Sequence, residues 1–185
     1  QSDYIWQYSR YPVHENTTAE YFQVGDDMFP VLVHELEQAK HFIFIEYFII
    51  NDGVMWQTIL HILEKKAAEG VDVRLIYDGF GCLTTLPYHY DRFLKEKGIQ
   101  CRIFNPFRPL LNIVQNNRDH RKICVIDGHT GFTGGINLAD EYINQKKRFG
   151  HWKDTAVMIK GDAVQSLTML FLQMWNVSEL KKEKF

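Results

Sequence analysis

His120 and Lys122 stand two residues apart in the stretch DHRKICVIDGHTGFTGGIN, residues 119–137. On a strand that spacing puts both side chains on one face, so an imidazole and a fixed cation project together while Arg121 points away. An imidazole that loses its proton near neutral pH can serve as nucleophile or general acid. A lysine beside it supplies positive charge for an anion, most simply a phosphate. Gly134 and Gly135 let backbone come close to a ligand with no side chain between, and Asn137 adds a neutral amide donor. The set describes an oxyanion cradle with a nitrogen nucleophile, suited to a phosphodiester. His-x-Lys alone marks many ordinary strand edges; the Gly-Gly-x-Asn at its fixed offset is what sets this stretch apart.

Such groups need a rigid strand beneath them. Residues 123–126 are apolar on both faces, which marks a central strand with its polar pair at one end. Asp127-Gly128 is a hairpin signal between HRKICVI and TGFTG, and turn chemistry alone explains Asp127. Upstream, apolar residues Phe29, Leu32, Val33 and Leu36 recur at helical spacing after Asp26 and Asp27. HFIFIEYFII reads as a buried strand, VMWQTILHILEKKAAEG as an amphipathic helix closed by Gly70. VDVRLIYD and IQCRIF read as strands on either side of a short helix, LPYHYDRFLKEKG. DTAVMIK makes a last strand before a closing helix over residues 163–175. Strands alternating with helices predict a layered α/β domain whose central sheet is mixed and mostly parallel. Residues 1–24 show no period and are expected to be an irregular lead-in to one domain spanning 25–185.

The formal net charge of −2 supplies no global basic field for nucleic acid. One basic run, Lys146-Lys147-Arg148, reads as a solvated loop. The three cysteines are scattered, which argues against a disulfide framework and for a reducing compartment. With no CxxC and no HExxH, neither a metal nor another cofactor is expected. No signal peptide is expected at Gln1, and the longest apolar run, residues 42–50, is too short for a bilayer and carries Glu46. The chain is therefore expected to be soluble by itself. A charge inside that strand must be paired or face a site; both structural pairing and substrate binding are open for Glu46. Residues 105–114, NPFRPLLNIV, could line an acyl-chain groove, touch a bilayer or pack in the core.

HxKxxxxD, here His120, Lys122 and Asp127, followed after six residues by Gly134, Gly135 and Asn137, resembles the phospholipase D superfamily. FIEYFIINDG, VDVRLIYDGFG, IFNPFRPLLN, NNRDHRKICVIDG, FTGGINLADEY and HWKDTAVMIKGDAV are similar to the bacterial cardiolipin synthases, over about residues 20–176. The resemblance implies a phospholipase D-like α/β/α domain and phosphatidyl transfer between two phosphatidylglycerol molecules through a phosphohistidine. It implies catalytic roles for His120, Lys122 and Asp127, and phosphate contacts from Lys122 and Asn137. Asp154, in HWKDT, stands where the superfamily often has the carboxylate that holds the histidine's other nitrogen. Such enzymes carry two motifs and this chain carries one, so a second phospholipase D-like half is the implied partner, together with a membrane surface. The full-length protein is expected at the cell membrane with its catalytic domain in the cytoplasm. The competing readings are a phosphodiesterase or nuclease that works as a homodimer with one motif per chain, and a non-catalytic lipid- or phosphate-binding module.

Overall fold

The computed structural model describes residues 2–9, 11–106, 117–148 and 150–180. Its elements are α1 (Ser2–Ser9), β1 (Thr17–Phe22), α2 (Gly25–Glu37), β2 (Phe42–Tyr47), α3 (Val54–Ala68), β3 (Asp72–Asp78), α4 (Tyr90–Glu96), β4 (Gln100–Phe104), β5 (Lys122–Ile126), β6 (Thr130–Gly134), a 3-10 turn (Asp140–Ile143), β7 (Ala156–Gly161) and α5 (Val164–Leu180). The strands form one sheet in the order β1-β7-β6-β5-β2-β3-β4.

Strand alternation divides the sheet into two buried faces. Ile43, Ile45 and Tyr47 of β2 join Leu75, Cys124 and Phe132 beneath α2 and α3. Phe44, Ile76, Ile123 and Val125 meet Val164, Phe171 and Trp175 of α5 on the other side. In α2 the buried Met28, Leu32 and Leu36 are four apart, so one stripe faces the sheet. Burying each such side chain contributes about 2 kcal/mol before entropy is counted. The result is the α/β/α layering expected from the sequence.

The sheet is mixed, but its parallel share is smaller than expected. Among the described strands only β2–β3 and β3–β4, joined across α3 and α4, pair parallel. β5 runs antiparallel to β2, β6 to β5, β7 to β6 and β1 to β7. The strand–helix rhythm ends at β4; from β5 on the described strands are joined by the 126–129 hairpin and by the stretch that carries the 3-10 turn, with no α-helical crossover between them. The lead-in is also more ordered than its composition suggested. Its TTAEYF pairs with β7 from Thr17 opposite Gly161 to Phe22 opposite Ala156. β1 is an edge strand exposed along most of its length, so it lacks the apolar alternation by which a strand is read.

The hairpin turn over residues 126–129 forms as the Asp-Gly pair indicates. His129 N–H donates to the Ile126 carbonyl at 3.1 Å, and Asp127 (φ 51°) and Gly128 (φ 67°) are both left-handed. This turn lies at one end of β5. At the other end Lys122 is opposite Tyr47 and Gly134 is opposite Ala156. That second end therefore gathers the exits of β2, β3, β4 and β6 and the entries of β5 and β7.

Candidate active site

His120 lies just before β5 at this rim, exposed to solvent. Phe48, the first residue after β2, stacks on its ring with centroids 3.8 Å apart and planes at 23°. Lys122 is nearly buried, at 8% exposure. Its Nζ donates to the His120 carbonyl oxygen at 2.6 Å and approaches His120 Nδ1 at 3.5 Å. Burial lowers the affinity of Lys122 for its proton, and the carboxylates of Asp154 and Asp119 offset part of that shift. The expectation that His120 and Lys122 share a face holds, with their polar heads in contact.

Asp154 reaches the same place from the entry of β7. Its Oδ1 accepts the Thr155 N–H at 2.8 Å, and its charge acts on Lys122. Gly135 makes room for it: a Cβ there would lie 2.0 Å from Asp154 Oδ1. A Cβ at Gly134 would meet the Thr155 carbonyl at 2.3 Å, so both glycines are required by close packing on the β7 entry. One detail differs from expectation. Among the described residues Asp154 makes no hydrogen bond to the His120 ring, whose Nδ1 faces Lys122.

Asn137 is buried at 4% exposure. Its Oδ1 accepts the Ile49 N–H at 3.0 Å and its Nδ2 donates to the Tyr142 hydroxyl at 2.7 Å. Asn137 thus ties the exit of β2 to the 3-10 turn, leaving one amide hydrogen for any ligand. The turn in its own right holds α3: both Asp140 carboxylate oxygens accept the Val54 and Met55 N–H groups at 2.9 and 2.8 Å.

Two proposed site residues lie elsewhere. Asp127 is at the hairpin end of β5, a strand length from His120. Its carboxylate accepts the N–H groups of Lys40, His41 and Phe42 at 2.7–2.9 Å. Partial burial raises its pKa, but those three bonds outweigh burial and hold it below the usual carboxylate range. Glu46 is fully buried but sits opposite Ile123 on the α5 face, whereas its neighbour Tyr47 is the residue opposite Lys122. Alternation therefore turns Glu46 away from the cradle, so of its two open readings the substrate-binding one is corrected and structural pairing stands. Segment 107–116, with most of the apolar run expected to meet lipid or core, lies outside the described residues.

Glu46 instead belongs to a charged cluster behind the histidine. Arg121 Nε lies 2.7 Å from Glu46 Oε1 and 3.0 Å from Asp119 Oδ1. The Asp119 N–H donates to Asp78 Oδ2 at 3.0 Å, and Asp78 Oδ1 accepts the Phe80 and Gly81 N–H groups. Both neighbours of His120 are thereby fastened to β2 and β3. Among the described residues no directed donor serves either Glu46 oxygen. Burial first, then contact with Asp119, pushes the Glu46 carboxyl up to about 9 against the pull of Arg121. That shift favours the neutral acid over the carboxylate at neutral pH, and the neutral acid can donate to Asp119. A charge in an apolar strand marked Glu46 in advance; Phe48, Asp119 and Tyr142 carried no such signal.

Among the described residues no group of three or more His, Cys, Asp or Glu is placed to hold a metal ion, and no helix is long and apolar enough to cross a membrane.

Residues 32–175 match the family described as "Cardiolipin synthase, PLD-like domain". The chain belongs to this family. The PLD-like domain is 45% identical over 152 residues to cardiolipin synthase 2 of Bacillus cereus, covering 82% of this chain and 29% of that protein. It spans about a third of the length of the curated relatives it matches. Its fold is similar to NucT from Helicobacter pylori, with a TM-score of 0.66 at 12% identity, covering 86% of this chain and 96% of that one. It is also similar to the phospholipase D family member Nuc from Salmonella typhimurium, at 0.61 and 18%, covering 86% and 95%. At such identities the likeness concerns the fold, and it agrees with the seven-stranded mixed sheet.

Proposed function

We propose that this PLD-like domain is the first motif-bearing half of a cardiolipin synthase, and that it transfers a phosphatidyl group from one phosphatidylglycerol to another. The observation that supports this reading is the meeting of His120, Lys122 and Asp154 on one glycine-lined rim, in a chain whose relatives are named cardiolipin synthase.

A lone pair on the His120 ring attacks phosphorus, the bond to the glycerol oxygen breaks, and a histidine of the second half gives that oxygen its proton. A hydroxyl of a second phosphatidylglycerol then gives its proton to the same base and attacks the phosphatidyl-histidine. The P–N bond breaks and cardiolipin leaves. Lys122 holds the non-bridging oxygens, Asp154 keeps Lys122 charged, and Asn137 shapes the loop and offers its remaining N–H.

The ring contact adds a step. An ammonium only donates, so in this reading the Nδ1 that faces Lys122 at 3.5 Å is the accepting nitrogen and Nε2 the one that carries the ring proton before substrate binds. A phosphate that draws Lys122 onto its oxygens releases Nδ1 to take the proton, which Asp154 then receives as a hydrogen bond. Nε2 becomes the nucleophile only with substrate in place. The full-length enzyme acts at the membrane, on the cytoplasmic side, with the second half in the same polypeptide.

The test combines the chain with a separately produced second half and phosphatidylglycerol in detergent micelles, chelator present, with His120→Ala as the blank. Equal release of cardiolipin and glycerol is expected. Glycerol release by the chain alone, rising more steeply than linearly with its concentration, would favour a homodimeric phosphodiesterase. Cleavage of DNA without lipid turnover would favour the nuclease.

A further inference from the structure

The loop between the 3-10 turn and β7 places Lys146, Lys147, Arg148, His151 and Lys153 at the surface. It is closed at its base. The Trp152 N–H donates to Asn144 Oδ1 at 2.7 Å, and Asn144 Nδ2 donates back to the Trp152 carbonyl at 3.1 Å. Arg148 leans on Glu141 at 3.3 Å. Among the described residues no carboxylate forms an ion pair with Lys146, Lys147 or Lys153. The loop leaves the sheet at the rim that carries His120, since β7 starts opposite Gly134. The loops that follow β2 and β3 at that same rim, with the start of α3 and residues 79–89, expose Val54 (57%), Phe80 (50%), Leu83 (45%) and Tyr88 (91%).

We infer that this rim is a docking surface for an anionic phospholipid bilayer, with Lys146, Lys147 and Lys153 on lipid phosphates and Phe80, Leu83 and Tyr88 at the interface. The inference rests on the phosphatidyl-transfer reading and names where that lipid is met. Charge and apolarity together favour this occupant. A polyanionic nucleic acid accepts the lysines but leaves Val54 and Leu83 facing water, whereas a bilayer interface takes both. With a net charge of −2 the attraction is local, and salt screens it beyond about 8 Å. The apolar residues anchor; the lysines select for anionic lipid. His120 is then presented at headgroup level.

The test is co-sedimentation with vesicles of phosphatidylcholine alone and of phosphatidylcholine with phosphatidylglycerol in equal parts, at low and high salt. The variants are Lys146→Gln/Lys147→Gln/Lys153→Gln and, separately, Leu83→Ser. Each lysine near an anionic surface is worth roughly fivefold in partitioning, so the triple variant is expected to bind phosphatidylglycerol vesicles roughly a hundredfold more weakly. Its weak binding to phosphatidylcholine stays unchanged, and Leu83→Ser weakens binding to both. Unchanged partitioning of the triple variant overturns the inference, as does a larger loss of binding to duplex DNA than to vesicles. Binding is read without turnover, so it stands apart from the catalytic reading. If phosphatidyl transfer is wrong, no chain releases glycerol from micelles yet vesicle binding still responds to the lysines. If only the docking is wrong, micellar turnover persists and vesicle binding ignores them.

Discussion

Glu46→Gln replaces a buried proton-binding group by a neutral amide of the same shape. In the folded chain the Glu46 carboxyl titrates at about 9, against 4.5 for the unperturbed group. Between those values the unfolded chain is ionised at this position and the folded chain holds a proton, so stability falls as pH rises through the window. Each pH unit costs about 1.4 kcal/mol. At pH 7, 2.5 units above the unperturbed value, the wild type is therefore weakened by on the order of 3 kcal/mol, and at pH 9 by on the order of twice that. A glutamine carries no such penalty. Its amide N–H₂ donates to Asp119 as the protonated acid does, and its carbonyl faces Arg121. The variant is expected to match the wild type near pH 4.5 and to gain on it steadily up to pH 9. Urea unfolding of both chains across that range measures the difference. Parallel curves, or a variant less stable than the wild type at pH 8, would refute the claim that Glu46 is a buried neutral acid. Glycerol release at neutral pH should be nearly unchanged, because Glu46 lies on the opposite sheet face from Lys122.

Asp127→Asn removes the charge that serves three backbone N–H groups and should cost about 1–3 kcal/mol in urea unfolding, with KM for phosphatidylglycerol unaltered. Because the folded pKa of Asp127 is lowered, the wild type holds this stability above the ordinary carboxylate range and loses it as pH falls through the lowered value; the variant should lack that acid-side loss. Gly135→Ala drives a methyl group onto Asp154 Oδ1 and should cut kcat on the order of a hundredfold, the effect of an ångström's misplacement, with a native circular dichroism spectrum. Phe48→Ala removes the ring that stacks on His120. It should lower kcat/KM by about fivefold, from about 1 kcal/mol of stacking, while leaving vesicle binding intact.

The site was legible wherever chemistry and periodicity coincide. His120 and Lys122 share a face because strands alternate, and Asp127-Gly128 makes its turn because both residues tolerate positive φ. Gly134 and Gly135 were read as room for a ligand; what they make room for in the structure is the entry of β7 and the Asp154 carboxylate. That reason lay in a long-range register between β6 and β7, which no local pattern encodes. Glu46 shows the same limit: its oddity was plain, but which face it occupies depends on where β2 begins. The mostly parallel sheet failed because the rhythm of the first hundred residues was extended past β4, into a stretch where one turn signal already announced reversal. β1 escaped notice because an exposed edge strand needs no apolar pattern.

In the proposed transfer His120 forms the bond to phosphorus. The direct measurement is mass spectrometry of the chain, quenched with denaturant at mildly basic pH while turning over phosphatidylglycerol with its second half. The expected result is a phosphatidyl adduct on the peptide that contains His120, its P–N bond retained at mildly basic pH, lost in acid, and absent from His120→Ala. An adduct on the histidine of the second half, or undiminished turnover by His120→Ala, would contradict the account.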